Sequence, residues 1–257
     1  MPLNPPITNW SRHRVWIIGA SSGIGAALAQ ALLERGARVA LSARTESKLR
    51  EVAGSEPNAL VLKADITATT ELAAAYQTLT ATWGGADLIV FMAGTYFPVR
   101  AWELTAEKAR STLDTNLLGV MNGLALVLPD FIARGSGGLA VVSSVAGYRG
   151  LPKSLLYGPS KAALINMAET LYLDCQPRGL AVYVINPGFV KTSLTAQNDF
   201  KMPYLITPEQ AANSILAGFA AGEFEIHFPK AFTRQLRFLR LLPYGLYFKI
   251  IRRATGL

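Results

Sequence analysis

Short apolar runs punctuate the chain, with room for a helix between neighbours. Residues 15–18, 38–42, 59–63, 87–92, 139–143 and 180–185 show little polar alternation, as strands buried on both faces of a parallel sheet do. Residues 224–228 read as a last strand. Between these runs the apolar period lengthens. Ile24, Leu28, Ala31 and Leu32 mark one side of a helix that stops at Gly36, and Leu72, Ala75, Tyr76 and Leu79 do the same in residues 71–83. Residues 105–134 predict a long helix between a Thr105 cap and Gly135, and residues 160–175 another, stopped by Pro177 and Gly179. Thr207, Pro208 and Gln210 combine an N-cap, a first-turn proline and a capping-box glutamine. The alternation predicts an α/β fold: one Rossmann-like, doubly wound parallel sheet of about seven strands with helices on both faces. Its ligand is expected at the carboxyl ends of the strands.

Composition narrows this picture. With 257 residues, 51% of them apolar and 16% charged, the chain can bury one large core. Cys175 is the single cysteine, so no internal disulfide forms, and His13 and His227 lie too far apart for a zinc pattern; no metal is expected. Residues 1–13 hold Pro2, Pro5 and Pro6 and no apolar core, which reads as a flexible arm without a secretion signal and a cytoplasmic location. No uninterrupted apolar run reaches membrane-spanning length. The net charge of +8 is concentrated: residues 230–257 carry seven basic side chains and no acid.

Candidate chemistry starts with Tyr157 and Lys161, four apart and therefore on one helix face. A phenol titrates near 10, and a nearby ammonium favours its anion, so such a pair is a tuned acid. Upstream, an apolar strand runs into Gly19-Ala20-Ser21-Ser22-Gly23-Ile24-Gly25 and then a helix. Glycines there allow a tight turn and close approach to a pyrophosphate, and the helix N-terminus offers free N–H groups. The spacing is G-x-x-x-G-x-G, and no Lys-Ser or Lys-Thr follows as in a nucleoside-triphosphate loop. After the second strand comes Ala43-Arg44, with no acid before Glu46. A guanidinium suits a 2′-phosphate, which points to NADP(H) with Ser22 as a helper; the alternative is that Arg44 faces solvent.

With Asn116 and Ser144 between them, these motifs resemble the short-chain dehydrogenase/reductase family from about Arg14 to Thr192, and more weakly to about Phe228. The resemblance implies an oxidoreductase in which Ser144 and Tyr157 hold a carbonyl oxygen and Tyr157 donates the proton. Lys161 would lower the tyrosine pKa and bind ribose hydroxyls, while Asn116 would interrupt its helix and fix a water leading to Lys161. Ser144, thirteen residues before Tyr157, is chosen over Ser143. Asp65, followed by Ile66, matches the position that touches adenine, a role compatible with capping the next segment. Ala93 and Gly94 would approach the ribose. Pro187, Gly188, Val190 and Thr192 match the family's Pro-Gly-x-x-x-Thr, which holds the carboxamide and a phosphate. The chain departs from the family in reading Phe91-Met92 where two asparagines are usual and Ile18 where threonine is usual, which predicts altered packing at the sheet centre.

Residues 14–229 are thus expected to form the dinucleotide-binding and catalytic domain, with residues 189–206 as a lid. The apolar lid and Tyr96-Phe97 suggest a hydrophobic, lipid-like carbonyl or alcohol substrate. The resemblance also implies a homodimer or homotetramer paired through the helices holding Asn116 and Lys161. In the extension 230–257, basic and large apolar residues intermingle, which suits either peripheral contact with the inner face of a membrane or packing on the lid or a subunit. Nucleic acid is not expected. A regulatory or scaffolding protein that binds cofactor without turnover is the alternative function, and the complete Ser144, Tyr157 and Lys161 set argues against it.

Overall fold

The computed structural model describes residues 1–200 and 202–256; Lys201, inside the predicted lid, and Leu257, at the end of the predicted extension, lie outside them. Seven strands form one sheet: β1 (Arg14–Ile18), β2 (Arg38–Ser42), β3 (Ala59–Val61), β4 (Leu88–Phe91), β5 (Gly137–Val142), β6 (Leu180–Pro187) and β7 (Glu225–Phe228). All pairings are parallel, in the order β3-β2-β1-β4-β5-β6-β7. The period of two along β1 divides the core. Val15 and Ile17 point into one apolar layer, Trp16 and Ile18 into the other.

Each layer is closed by helices. Leu28 and Leu32 of α1 (Gly23–Leu33) and Ile215 and Phe219 of α7 (Pro208–Ala221) cover the first, with Leu49 of α2 (Glu46–Ala53) at its edge. The second is covered by Leu72 and Leu79 of α3 (Thr69–Trp83), Leu124 and Phe131 of α5 (Gly119–Arg134), and Leu164 of α6 (Tyr157–Cys175). The predicted doubly wound architecture is therefore the one observed.

The stretch expected as one long helix is α4 (Ala106–Leu113), a π-helical turn at Asp114–Leu118, and α5. By length and composition alone this path could cross a bilayer, but here it packs Val120, Leu124, Val127 and Phe131 into the core. Phe91 takes up the space at the sheet centre. A Cβ on Gly123 of α5 would overlap its ring, so a glycine opposite accommodates the aromatic side chain.

The N-terminal arm is not the flexible segment its prolines suggest. Leu3 and Asn4 donate backbone N–H groups to the Gly222 carbonyl at 3.1 and 3.0 Å, and Ile7 to that of Phe219 at 3.0 Å. Asn4, 3% exposed, brackets Val182 by donating Nδ2 to its carbonyl (2.8 Å) and accepting its N–H at Oδ1 (3.0 Å). β7 first pairs with β6 at Val184, so Asn4 satisfies backbone groups that β7 does not reach. Trp10 then packs edge-on against Phe219. Prolines that lack N–H groups cost this docking nothing, because the intervening residues supply the donors.

The basic extension forms α8 (Lys230–Arg240) and α9 (Tyr244–Thr255), a pair folded over the carboxyl ends of the strands. Arg149 ties it there. Its guanidinium donates to the carbonyls of Leu239 (3.0 Å) and Leu242 (2.6 Å) and lies 4.0 Å from the Tyr247 ring centroid. Tyr247 in turn donates its hydroxyl to the Gly150 carbonyl at 2.7 Å.

Candidate active site

The sheet order reverses between β1 and β4, and the loops leaving these strands part there into a cleft of about 2250 Å³. Every catalytic or cofactor-binding candidate named from the sequence lines it except Asn116, which is fully buried behind the wall.

At one end lies the glycine turn between β1 and α1. Gly19 has φ +109°, and a Cβ on it would come within 2.5 Å of the Ala93 nitrogen. Gly23 has φ +55° and would crowd Thr192. Only glycine is at ease in both conformation and space. Ser22 precedes α1 without using its side chain as a cap, which leaves the first-turn N–H groups pointing at the cleft. Such a shallow, donor-lined cradle fits a pyrophosphate. Ser21, Ile24 and Gly25 complete it, with Ala93 and Gly94 opposite and Pro187, Gly188, Val190 and Thr192 on the far wall.

Beyond β2, Arg44 is exposed at the cleft edge. The nearest acid, Glu46, is taken by Arg50 at 2.5 Å, so Arg44 has no ion-pair partner among the described residues. Lys48 lines the same corner. It was missed in the sequence because an exposed lysine on α2 looks like any surface lysine until the fold brings it to the cleft. Asp65 lines the cleft with Ile66, and its Oδ1 also accepts the N–H (2.9 Å) and hydroxyl (2.8 Å) of Thr67, so it caps its own turn.

The polar cluster sits at the centre. Tyr157 begins α6, three residues earlier than the sequence pattern suggested, and Lys161 follows one turn on. Lys161 is 4% exposed, donates Nζ to the Val142 carbonyl at 2.9 Å, and has its nitrogen 5.5 Å from the Tyr157 ring centroid. Ser144 ends β5's loop facing the cleft, its Oγ accepting the Ala146 N–H at 3.1 Å. Ser143 spends its hydroxyl on the Lys161 carbonyl at 2.6 Å, whereas that of Ser144 makes only a long 3.4 Å contact to the Pro187 carbonyl and is the more available of the two.

Asn116 lies in the π-helical turn. Its Oδ1 accepts the Thr95 N–H at 2.7 Å, and its Nδ2 donates to the Thr95 carbonyl (2.9 Å) and Ser160 Oγ (3.1 Å). A Cβ at Gly94 would stand 3.5 Å from both Asn116 Oδ1 and Lys161 Nζ, so the two flank the same point.

The electrostatics correct one expectation. Lys161 was expected to pull the Tyr157 pKa down; instead burial dominates and pushes the phenol up to about 12, with the Ser144 hydroxyl partly offsetting it. Burial also lowers Lys161 to about 8. Each charge is costly where surrounding protein limits its hydration, and the ammonium's only close partner among the described residues is a neutral carbonyl. Tyr157 therefore carries its proton throughout the neutral range.

Around the mouth, Tyr96 packs edge-on against Tyr157, with centroids 5.1 Å apart, and donates its hydroxyl to Asn198 at 3.1 Å. Lys153 pairs with Asp199 at 2.5 Å, joining the loop before Tyr157 to the predicted lid. Phe189 and Tyr204 stack on Phe232 of α8. These cross-cleft contacts link residues far apart in sequence and carry no local signal.

A family model described as short chain dehydrogenase matches residues 13–202. An uncharacterized oxidoreductase of Myxococcus xanthus is 36% identical over 241 residues, covering 92% of this chain and 95% of that protein. One from Staphylococcus haemolyticus is 32% identical over 202 residues, covering 78% and 87%. Among solved structures, a short-chain dehydrogenase from Sphingobium yanoikuyae in complex with NADPH superposes with a TM-score of 0.77 at 24% identity, covering 95% of this chain and 94% of that one. ElxO with NADP bound gives 0.75 at 22%, covering 84% and 97%.

Proposed function

The chain belongs to the short-chain dehydrogenase family of oxidoreductases, and from that premise we propose that it is an NADP(H)-dependent reductase of a hydrophobic, lipid-like ketone or aldehyde. The observation that carries this reading is the meeting of Ser144, Tyr157 and Lys161 in one cleft with the glycine cradle.

When bound, NADPH supplies a hydride to the carbonyl carbon, a chemistry that belongs to the cofactor. The chain's residues hold it and handle the proton. The glycine turn and first turn of α1 take the pyrophosphate, while Arg44 and Lys48 suit a 2′-phosphate. The Sphingobium yanoikuyae neighbour, known in complex with NADPH, supports that choice. Lys161 retains N–H donors beyond the one given to Val142, and these suit ribose hydroxyls. Ser144 and Tyr157 hydrogen-bond the substrate oxygen, and Tyr157 passes its phenolic proton to the developing alkoxide, general acid catalysis typically worth about 10²–10⁴-fold. Asn116 positions Thr95 and Ser160 beside them.

The apolar side of the cleft, with Phe97, Leu151, Phe189, Phe232, Leu236 and Ile251, supports a hydrophobic substrate. Exposed Leu113, Leu118 and Met121 near the π-helical turn, and Leu173 on α6, support pairing of two copies through these helices. The direct test is Tyr157→Phe assayed on a ketone panel with NADPH. Turnover should vanish while NADPH binding persists; retained turnover would overturn the assignment.

A further inference from the structure

We propose that the outer face of the α8–α9 pair is a docking surface for an anionic lipid bilayer. Both helices use one face on the protein and leave the other unpartnered. On α8, Phe232, Leu236 and Leu239 turn inward to the cleft, whereas Arg234, Phe238 and Leu241 recur at i, i+4 and i+7 on the opposite side. Phe238 is 64% exposed and Leu241 80%. On α9, Tyr247 and Ile251 are buried and Tyr244 lies 4.7 Å from the Arg149 guanidinium, whereas Leu246 and Phe248 are exposed.

Charge narrows the choice of partner. Two of the seven basic residues in this segment are matched: Lys230 with Glu223 at 3.2 Å and Arg237 with Glu225 at 3.5 Å. Arg234, Arg240, Lys249, Arg252 and Arg253 are exposed and have no acidic partner among the described residues. A two-fold contact between copies through this face would set cations against their own images, because an isologous interface pairs a patch with itself. A nucleic acid would find the cations, but the large apolar side chains among them would meet its phosphates. A bilayer with acidic headgroups satisfies both features: cations lie at the headgroup level and the exposed Phe and Leu side chains enter the boundary below it.

The geometry gives the docking a consequence. Inward-facing side chains of the same helices wall the cleft, and the Arg149 anchor fixes the pair to the loop before Tyr157. A bilayer seated on the outer face would therefore lie beside the cleft mouth and let a lipid-like substrate enter without crossing water. This last step rests on the proposed reductase reading; the docking does not.

The test is sedimentation of the full chain with vesicles of phosphatidylcholine alone or mixed with phosphatidylglycerol, at low and raised salt, with NADPH binding and thermal melting as folding controls. Binding should appear only with phosphatidylglycerol and weaken with salt. It should fall about tenfold or more in Phe238→Asp/Leu241→Asp, and likewise in Arg252→Glu/Arg253→Glu, with NADPH binding unchanged. Failure of the wild type to sediment, equal binding to both vesicles, or variants that alter oligomeric state in place of sedimentation would overturn the docking. Loss of NADPH binding or ketone turnover in the wild type would instead count against the reductase reading.

Discussion

Replacing Lys161 with methionine tests the electrostatics of the site through stability. Lys161 is 4% exposed, and burial lowers its pKa from 10.5 to about 8. Between those values the unfolded chain holds a proton that the folded chain has released. Stability rises with pH wherever the unfolded state binds more protons. The lysine's contribution is therefore complete above about 10.5 and lost as pH falls through 8. At roughly 1.4 kcal/mol per unit the full swing is about 3 kcal/mol. About 2 kcal/mol of it falls between roughly pH 7 and 9.5, below the midpoint at which free tyrosines titrate. Urea unfolding of wild type and Lys161→Met at fixed ionic strength measures it. The wild type should gain about 2 kcal/mol more than the variant over that interval, because other groups titrating there are common to both. Equal gains in the two proteins would refute the reasoning, since the lysine would then be hydrated or already neutral.

Three further outcomes follow from the geometry. Arg44→Glu should lower NADP(H) affinity relative to NAD(H) by about tenfold or more, read by titration with both cofactors; an unchanged ratio would mean that Arg44 faces solvent only. Gly123→Ala should destabilise by about 1–3 kcal/mol in thermal or urea unfolding, because its new methyl would overlap the Phe91 ring. Asn4→Ala should cost about 1–3 kcal/mol by leaving both Val182 backbone groups without their partner, and a loss below about 0.5 kcal/mol would show that the Asn4 side chain contributes nothing to the docking.

What the sequence made legible follows from where the information is local. The strands could be read because both faces of the sheet are buried, so each run is continuously apolar. The glycine turn and the Tyr157–Lys161 pair were readable because strand–turn–helix order and helical spacing are local, whereas Asn116 and Ser144 were assigned through the family resemblance. The docked arm was not readable, because its partners, Val182, Phe219 and Gly222, lie more than a hundred residues away. Lys48 looked like any surface lysine, and the Lys153–Asp199 and Arg149 contacts exist only once the lid and extension fold over the cleft. The pKa direction of Tyr157 was missed for a related reason. Spacing reports that a cation is near, whereas burial depends on the whole surround.

That last difference bears on how the site would act. In the resting protein, burial makes Tyr157 a reluctant anion and Lys161 a reluctant cation, with only the neutral Val142 carbonyl beside the ammonium. Both penalties weigh on isolated charges. Under the proposed function, transfer of the phenolic proton to a substrate oxygen would leave negative charge on a ring whose centroid is 5.5 Å from Lys161 Nζ, and each residue would gain the counter-ion it lacked. Between partly desolvated groups that attraction is stronger than in bulk solvent. On that reading the pair would favour the state in which the proton is in transit over the state before it leaves, the kind of differential stabilisation that speeds a reaction without merely tightening binding. A tyrosine already acidified at rest would have spent that interaction before the substrate arrived.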